Sequence, residues 1–462
     1  MPTHMSDPAV KAWRCEVCGY IHEGSAPPGE CPVCGAPATD FSPCDAPHAP
    51  LVPAPGAAVA GQRIVVIGGG IAGVSAAESA RQAAPAAEIT LLAGEPDAPY
   101  WRLNLSRLLD GEIKTDALPL HPEDWYAQQR IRLLAGVTAT ALAPDRHEVT
   151  CSNGEKIPFD KAILATGATA FLPSWPGAQL AGVIALRTLA DVREVLRQLR
   201  PGLRCVCIGG GILGLETAGA LAKHGVQVDL LASDGWLMPR QLTRMGGELL
   251  AQHIAALGVR LHTNAKTRAI LGTERVSAVQ LADGRELPAD LVLVTAGVRA
   301  NLALATAAGL RTQQGIIVDD WLTTSHPDIF AAGDCAEHAG VLYGLWPAAQ
   351  FQGTLAGLNA AGQHSAFGGL PRSNVLKVLA LHVFSIGRFD APDALVLEQQ
   401  SDGQYLRFAF LDGRLCGAIL MGRNGLDALL KHALETQRDF SAALPTCPTA
   451  AAFAAHLAAH PA

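Results

Sequence analysis

The sequence predicts an α/β chain, and three observations predict it. Residues 63–78 and 205–218 each run from a short apolar strand through Gly-x-Gly-x-x-Gly into an Ala-rich helix, the pattern of a Rossmann-like dinucleotide-binding domain. Two Cys-x-x-Cys turns within the first 34 residues mark a small metal domain ahead of them. From about residue 366 the chain reads as strands with an Asp-Gly turn, a small α+β C-terminal domain.

The metal domain comes first. Its turns are Cys15-Glu-Val-Cys18-Gly19-Tyr20 and Cys31-Pro-Val-Cys34-Gly35. Each turn aims two thiolates at one point, and the glycine lets backbone N–H groups approach the sulfurs. Facing turns make a closed S₄ cage from Cys15, Cys18, Cys31 and Cys34, suited to Zn²⁺ or to a single iron. Trp13, Tyr20 and Phe41 supply aromatic rings to wrap it. Residues 11–42 resemble rubredoxin, in the short form of rubrerythrins, because only twelve residues separate Cys18 from Cys31. The resemblance implies one iron cycling between Fe³⁺ and Fe²⁺; a structural zinc ribbon remains the alternative.

Residues 43–62 have the composition of a Pro/Ala-rich linker. In extended form it reaches at most about 60 Å at ~3.1 Å per residue.

In each glycine unit the first Gly makes the tight turn, the second admits a pyrophosphate, and the third lets helix and strand pack closely. These are Gly68, Gly70 and Gly73 in the first unit and Gly209, Gly211 and Gly214 in the second. Two apolar strands ending in glycine turns follow, at Thr166-Gly167 and Gly297, and a third ends in Gly333-Asp334. Together these motifs resemble the FAD-dependent pyridine-nucleotide oxidoreductases over residues 63–365. That resemblance implies FAD on the first unit, NAD(P)H on the second, and Asp334 beside the flavin's ribityl–pyrophosphate region. Pro99-Tyr-Trp-Arg102-Leu-Asn-Leu-Ser106-Arg107 is similar to a stretch of the rubredoxin- and ferredoxin-reductase branch whose basic residues hold the flavin, which makes Arg102, Ser106 and Arg107 candidates. Arg107 stands where that branch often has Lys.

The first unit's second strand lacks an acid at its tip, so Glu95 is the candidate for the adenosine ribose. In the second unit Ala232 stands where NADH-specific members carry an acid, with no basic cluster nearby, a slight tilt to NADH over NADPH. Glu216 matches a family glutamate near the nicotinamide, although a first-turn carboxylate is also favoured by the helix dipole.

No Cys lies between residues 45 and 150, which excludes the usual disulfide-reductase thiols there. Cys205 and Cys207 read as packed core thiols. The flavin must then pass electrons outward, and the cage on the same chain is the receiver in view. Hydride brings two electrons and an S₄ iron takes one, so flavin stands between them.

The reading divides the chain into a rubredoxin-like domain (1–42), the linker (43–62), an FAD-binding domain in two parts (63–180 and 297–365), an NAD(P)H-binding domain (181–296) and the C-terminal domain (366–462). The last resembles the C-terminal domain of rubredoxin reductases, which covers the flavin or mediates dimer contacts, so a homodimer is one expectation. The expected function is an NAD(P)H:rubredoxin oxidoreductase carrying its own rubredoxin and serving a separate acceptor protein of rubrerythrin, flavodiiron or hydroxylase type. The alternative is an NAD(P)H oxidase or peroxide-related reductase with a structural zinc ribbon. A net charge of −7 gives no sign of a nucleic-acid or anionic-membrane partner, and no run of apolar residues reads as a membrane span. With four of 11 cysteines in the cage and no paired framework among the rest, a reducing cytoplasm is expected.

Overall fold

A computed structural model of the chain describes residues 12–15, 21–23, 26–29, 38–44, 61–369, 373–378, 381–401, 403–422 and 425–460. The first sheet has five parallel strands, in the order Ile329–Ala331, Lys161–Leu164, Arg63–Ile67, Glu88–Ala93, Ile131–Ala135. The second repeats the plan with Val183–Ala185, Leu291–Val294, Arg204–Ile208, Gln227–Leu231, Arg260–His262. Their central strands are continuous apolar runs because parallel strands are covered on both faces; all four residues of Leu291–Val294 are buried.

Each sheet is followed by a three-stranded antiparallel meander, Ala139–Pro158 in the first unit and Thr267–Pro288 in the second. The chain leaves the first sheet through Ala168–Ala170 and returns through Val298–Ala300, and these two strands pair antiparallel. The return places Ile329–Ala331 beside Lys161–Leu164, so the first unit is assembled from both sides of the second. Helix Ile71–Ala83 packs against helix Trp346–Ala360 within the first unit's core.

The C-terminal sheet is antiparallel, in the order Ser373–Val378, Leu381–Gly387, Arg414–Met421, Gln404–Leu411, Leu395–Ser401. Its first two strands, Ser373–Val378 and Leu381–Gly387, pair antiparallel with Val378 opposite Leu381. The Asp412-Gly413 turn has φ of 49° and 74°, the left-handed pair that a two-residue hairpin needs. One face of this sheet carries helices Asp427–Glu435 and Ala450–Ala459 over a cluster of Phe408, Phe410, Phe440 and Phe453. Val383, Phe389, Tyr405, Ile419 and Met421 instead join the core of the second nucleotide unit. The Tyr405 hydroxyl ties the two together by meeting Thr243 Oγ1 at 2.6 Å.

In the N-terminal domain, Ala12–Cys15 pairs antiparallel with Ile21–Glu23 and with Phe41–Cys44. Pro43 and Cys44, assigned to the linker by composition, therefore belong to the sheet, with Cys44 opposite Ala12.

Candidate functional site

The two glycine turns divide their work identically. Gly68 and Gly209 have φ of 129° and 131°, and a Cβ there would lie 2.0 Å from Ala165 O and 2.5 Å from Thr295 O. Side chains at Gly73 and Gly214 would meet the carbonyl oxygens of Gly68 and Gly209 at 1.8 and 1.9 Å. Around Gly70 and Gly211 nothing lies within 4 Å of such a Cβ. The outer glycines let the chain close on itself, whereas the middle ones leave a concavity at a helix start. Gly70 and Gly211 are the N-caps of helices Ile71–Ala83 and Ile212–Lys223, and neither helix has a side-chain cap. Their first N–H groups suit an anionic ligand such as a pyrophosphate.

From the first turn a cavity of about 1430 Å³ runs along Gly68, Gly70, Glu95, Arg102, Ser106, Thr166, Gly167, Arg187, Asp334 and Trp346 to Leu213 and Glu216 on the second unit's helix. One space thus touches both units. A flat, elongated dinucleotide with its phosphates on Gly70 and its reactive end near Glu216 fits this shape, and no cysteine lines it among the described residues. Of the sequence candidates, Gly73, Gly209, Gly211, Gly214, Gly297, Gly333 and Arg107 do not line it. Gly333, with φ of 81°, places its N–H against Gln352 Oε1 at 2.9 Å and so fixes the turn that presents Asp334.

Several of the candidates are engaged in side-chain pairs. Both oxygens of Glu95 are engaged, one with Arg102 at 2.5 Å and the other accepting from the Tyr100 hydroxyl at 2.6 Å. Arg102 also donates to the Arg187 carbonyl at 2.9 Å. Glu95, the ribose candidate, is thus paired with Arg102 and Tyr100 while it lines the cavity. Arg107 is exposed and turned to Glu112 at 3.1 Å, outside the cavity, because the short helix Leu105–Asp110 places it on the solvent side of buried Ser106. Asp334 pairs with Arg187 at 2.8 Å. Thr166 and Gly167 are tied to Asn301, whose side-chain amide donates to Thr166 O at 2.8 Å and whose N–H donates to Gly167 O at 2.9 Å.

Arg187, Asn301, Gln352 and Trp346 escaped the sequence reading. Nothing near Arg187 in sequence announces a partner 147 residues away. Trp346 stacks on Trp101 at 5.3 Å, and Trp101 lies beside Tyr100 in the Pro99–Arg107 stretch.

Burial pushes the Glu216 carboxyl up to about 7, opposed by a hydrogen bond from Ser106 and reinforced by the charge of Glu112. Cys205 and Cys207 are fully packed, their sulfurs 3.9 Å apart, and burial raises the Cys205 thiol well above its ordinary range. They are core thiols.

In the N-terminal domain Cys15 is buried at the end of its strand, directly opposite Phe41. Cys18, Cys31 and Cys34 lie outside the described residues, as does Tyr20.

Residues 62–353 match the pyridine nucleotide-disulphide oxidoreductase family. The chain belongs to that family. Membership makes FAD and a pyridine nucleotide its cofactors, and the open cradles at Gly70 and Gly211 fit them. Residues 13–42 match the rubredoxin-like domain of rubrerythrin, whose metal is iron, and residues 373–438 match the rubredoxin NAD⁺ reductase C-terminal domain. The assimilatory nitrate reductase electron transfer subunit of Bacillus subtilis is 32% identical over 387 residues, 83% of this chain and 50% of the relative. The chain spans about half the length of the first curated relatives it matches. The NADH-rubredoxin oxidoreductase of Clostridium acetobutylicum is 29% identical over 82% of this chain and 96% of its own. The crystal structure bearing that name from the same organism superposes with a TM-score of 0.73 over 86% of this chain and 100% of the other, at 27% identity. No helix among the described residues is long and apolar enough to cross a membrane.

Proposed function

We propose that this protein is an NAD(P)H:rubredoxin oxidoreductase that carries its own rubredoxin domain and serves a separate acceptor protein. The observation that carries the reading is the single cavity joining the Gly70 cradle to Glu216, lined by no thiol among the described residues. Bound FAD supplies the conversion between a two-electron hydride and single electrons. The chain's own groups hold and orient. The helix start at Gly70 takes the pyrophosphate charge, and Asp334, set by Arg187, offers carboxylate oxygens to ribityl hydroxyls. Arg102, locked by Glu95 and Tyr100, keeps a guanidinium on the cavity wall. The second helix start at Gly211 holds the nicotinamide nucleotide's phosphates, and Glu216 stands where the two units meet. NADH is the favoured nucleotide, since Ala232–Asp234 carries no basic group for a 2′-phosphate.

Cys15, Cys18, Cys31 and Cys34 would hold the iron. The stretch 1–42 carries Asp7, Glu16, Glu23, Glu30 and Asp40 against Lys11 and Arg14, a net −3, so a basic face on the acceptor complements it. A reducing cytoplasm is the compartment that fits this cysteine usage.

The test is the visible spectrum of the purified protein. Thiolate-to-iron bands beside those of flavin, both bleached by anaerobic NADH, are expected. Flavin bands alone, with stoichiometric zinc, would make the N-terminal domain a structural ribbon and leave an oxidase.

A further inference from the structure

We propose that His147, His326 and Asp328 form a divalent transition-metal site, suited to Zn²⁺, at the end of the first sheet away from the cofactor cavity. One donor atom from each lies within 4.8 Å of the other two. The three come from two distant segments. His147 follows the turn Pro144–Arg146 of the first meander, and His326 and Asp328 lead into the returning strand Ile329–Ala331.

The parts are held before any ion arrives. His147 has φ of 49°, a left-handed conformation uncommon outside glycine, and its carbonyl accepts from Phe159 N–H at 2.8 Å. Its ring stacks on fully buried Phe159 with centroids 5.3 Å apart and planes 10° apart. Lys161 Nζ holds Asp328 Oδ1 at 2.5 Å, and Oδ2 faces His147 Nε2 at 3.5 Å. That separation is long for a hydrogen bond. It is close to the ~3.4 Å between two ligands of a tetrahedral ion with bonds of ~2.0–2.1 Å. His326 is the ligand that must close in. Its Nδ1 accepts from Asp328 N–H at 3.2 Å, a long bond exchanged for the metal.

Nearby charges balance locally: Arg63 is engaged with Asp160 at 2.7 Å, as Lys161 is with Asp328. Two imidazoles and one carboxylate favour Zn²⁺ over Mg²⁺ or Ca²⁺. Lys161 and Asp328 sit where their strands begin, whereas Thr166-Gly167 and the Gly333-Asp334 turn lie beyond where they end. About 10 Å of strand therefore separates this site from the cavity. An ion here would pin the meander to the returning strand.

Equilibrium dialysis of the holoenzyme against micromolar Zn²⁺ tests it, with the thiolate cage already filled. About one extra Zn²⁺ per chain is expected, lost in both His147→Ala and His326→Ala, tightened in Lys161→Met, and accompanied by a higher melting temperature in the wild type and Lys161→Met but in neither histidine variant. The flavin spectrum should not change on binding and certifies that each variant is folded. Extra zinc retained by both histidine variants, or no extra zinc in the wild type, overturns the proposal. Neither outcome bears on the electron route.

Discussion

Glu216 is the group on the cavity wall whose charge changes near neutral pH. Its carboxyl is held up to about 7, so between the ordinary glutamate value and pH 7 the folded protein binds more protons than the unfolded chain. Stability from this residue is complete below the unfolded value and falls as pH rises through 7. Glu216→Gln should therefore melt close to wild type at pH 5 and above it at pH 8, by about 3 kcal/mol at most. The rate of flavin reduction by NADH should carry an ionisation near pH 7 that the variant lacks. Parallel melting curves of the two proteins across that range would show that Glu216 titrates like an ordinary surface carboxylate. Neither this shift nor the engagement of Glu95 by Arg102 and Tyr100 is legible locally, since both depend on what packs around the carboxyl.

At the scale of elements, the two strand–turn–helix units make opposite predictions for adjacent glycines. Gly70 and Gly211 adopt extended backbone open to any residue, and their missing side chains point into free space. Gly70→Val should fold and lose FAD, and Gly211→Val should fold, keep FAD and raise the KM for NADH by about tenfold or more. Gly73→Ala should instead cost about 3 kcal/mol or more, because its Cβ would overlap the Gly68 carbonyl at 1.8 Å. Flavin content and denaturant midpoints separate these outcomes; yellow Gly70→Val with normal flavin content would move the FAD site elsewhere. The glycine roles were legible because each is a local backbone constraint at fixed spacing. The antiparallel pairing of Ser373–Val378 with Leu381–Gly387 was not, because no Gly, Pro or Asn-Gly signal separates the two runs.

For the whole molecule the prediction concerns the order of electron carriers. Cys18→Ser should abolish NADH-driven reduction of cytochrome c while leaving NADH reduction of the flavin near its wild-type rate, because the N-terminal domain has a sheet of its own, separate from those of the nucleotide units. Stopped-flow absorbance at flavin and iron wavelengths checks it. Equal loss of both steps would make the cage structural for the entire enzyme. Tyr405, fully buried in the C-terminal sheet and bonded to Thr243 of the second unit, is a whole-molecule feature of another kind, since it joins two domains that the sequence reads as independent.

The sequence by itself determined the two glycine cradles, because each is written as a short pattern in which neighbours in the chain are neighbours in space. Tertiary structure alone decided which charges are free. Arg187 meets Asp334 and Arg102 meets Glu95, while Arg107 turns away to Glu112. An ion pair forms between side chains that the folded backbone brings within a few ångströms, and separation along the chain carries no record of that distance.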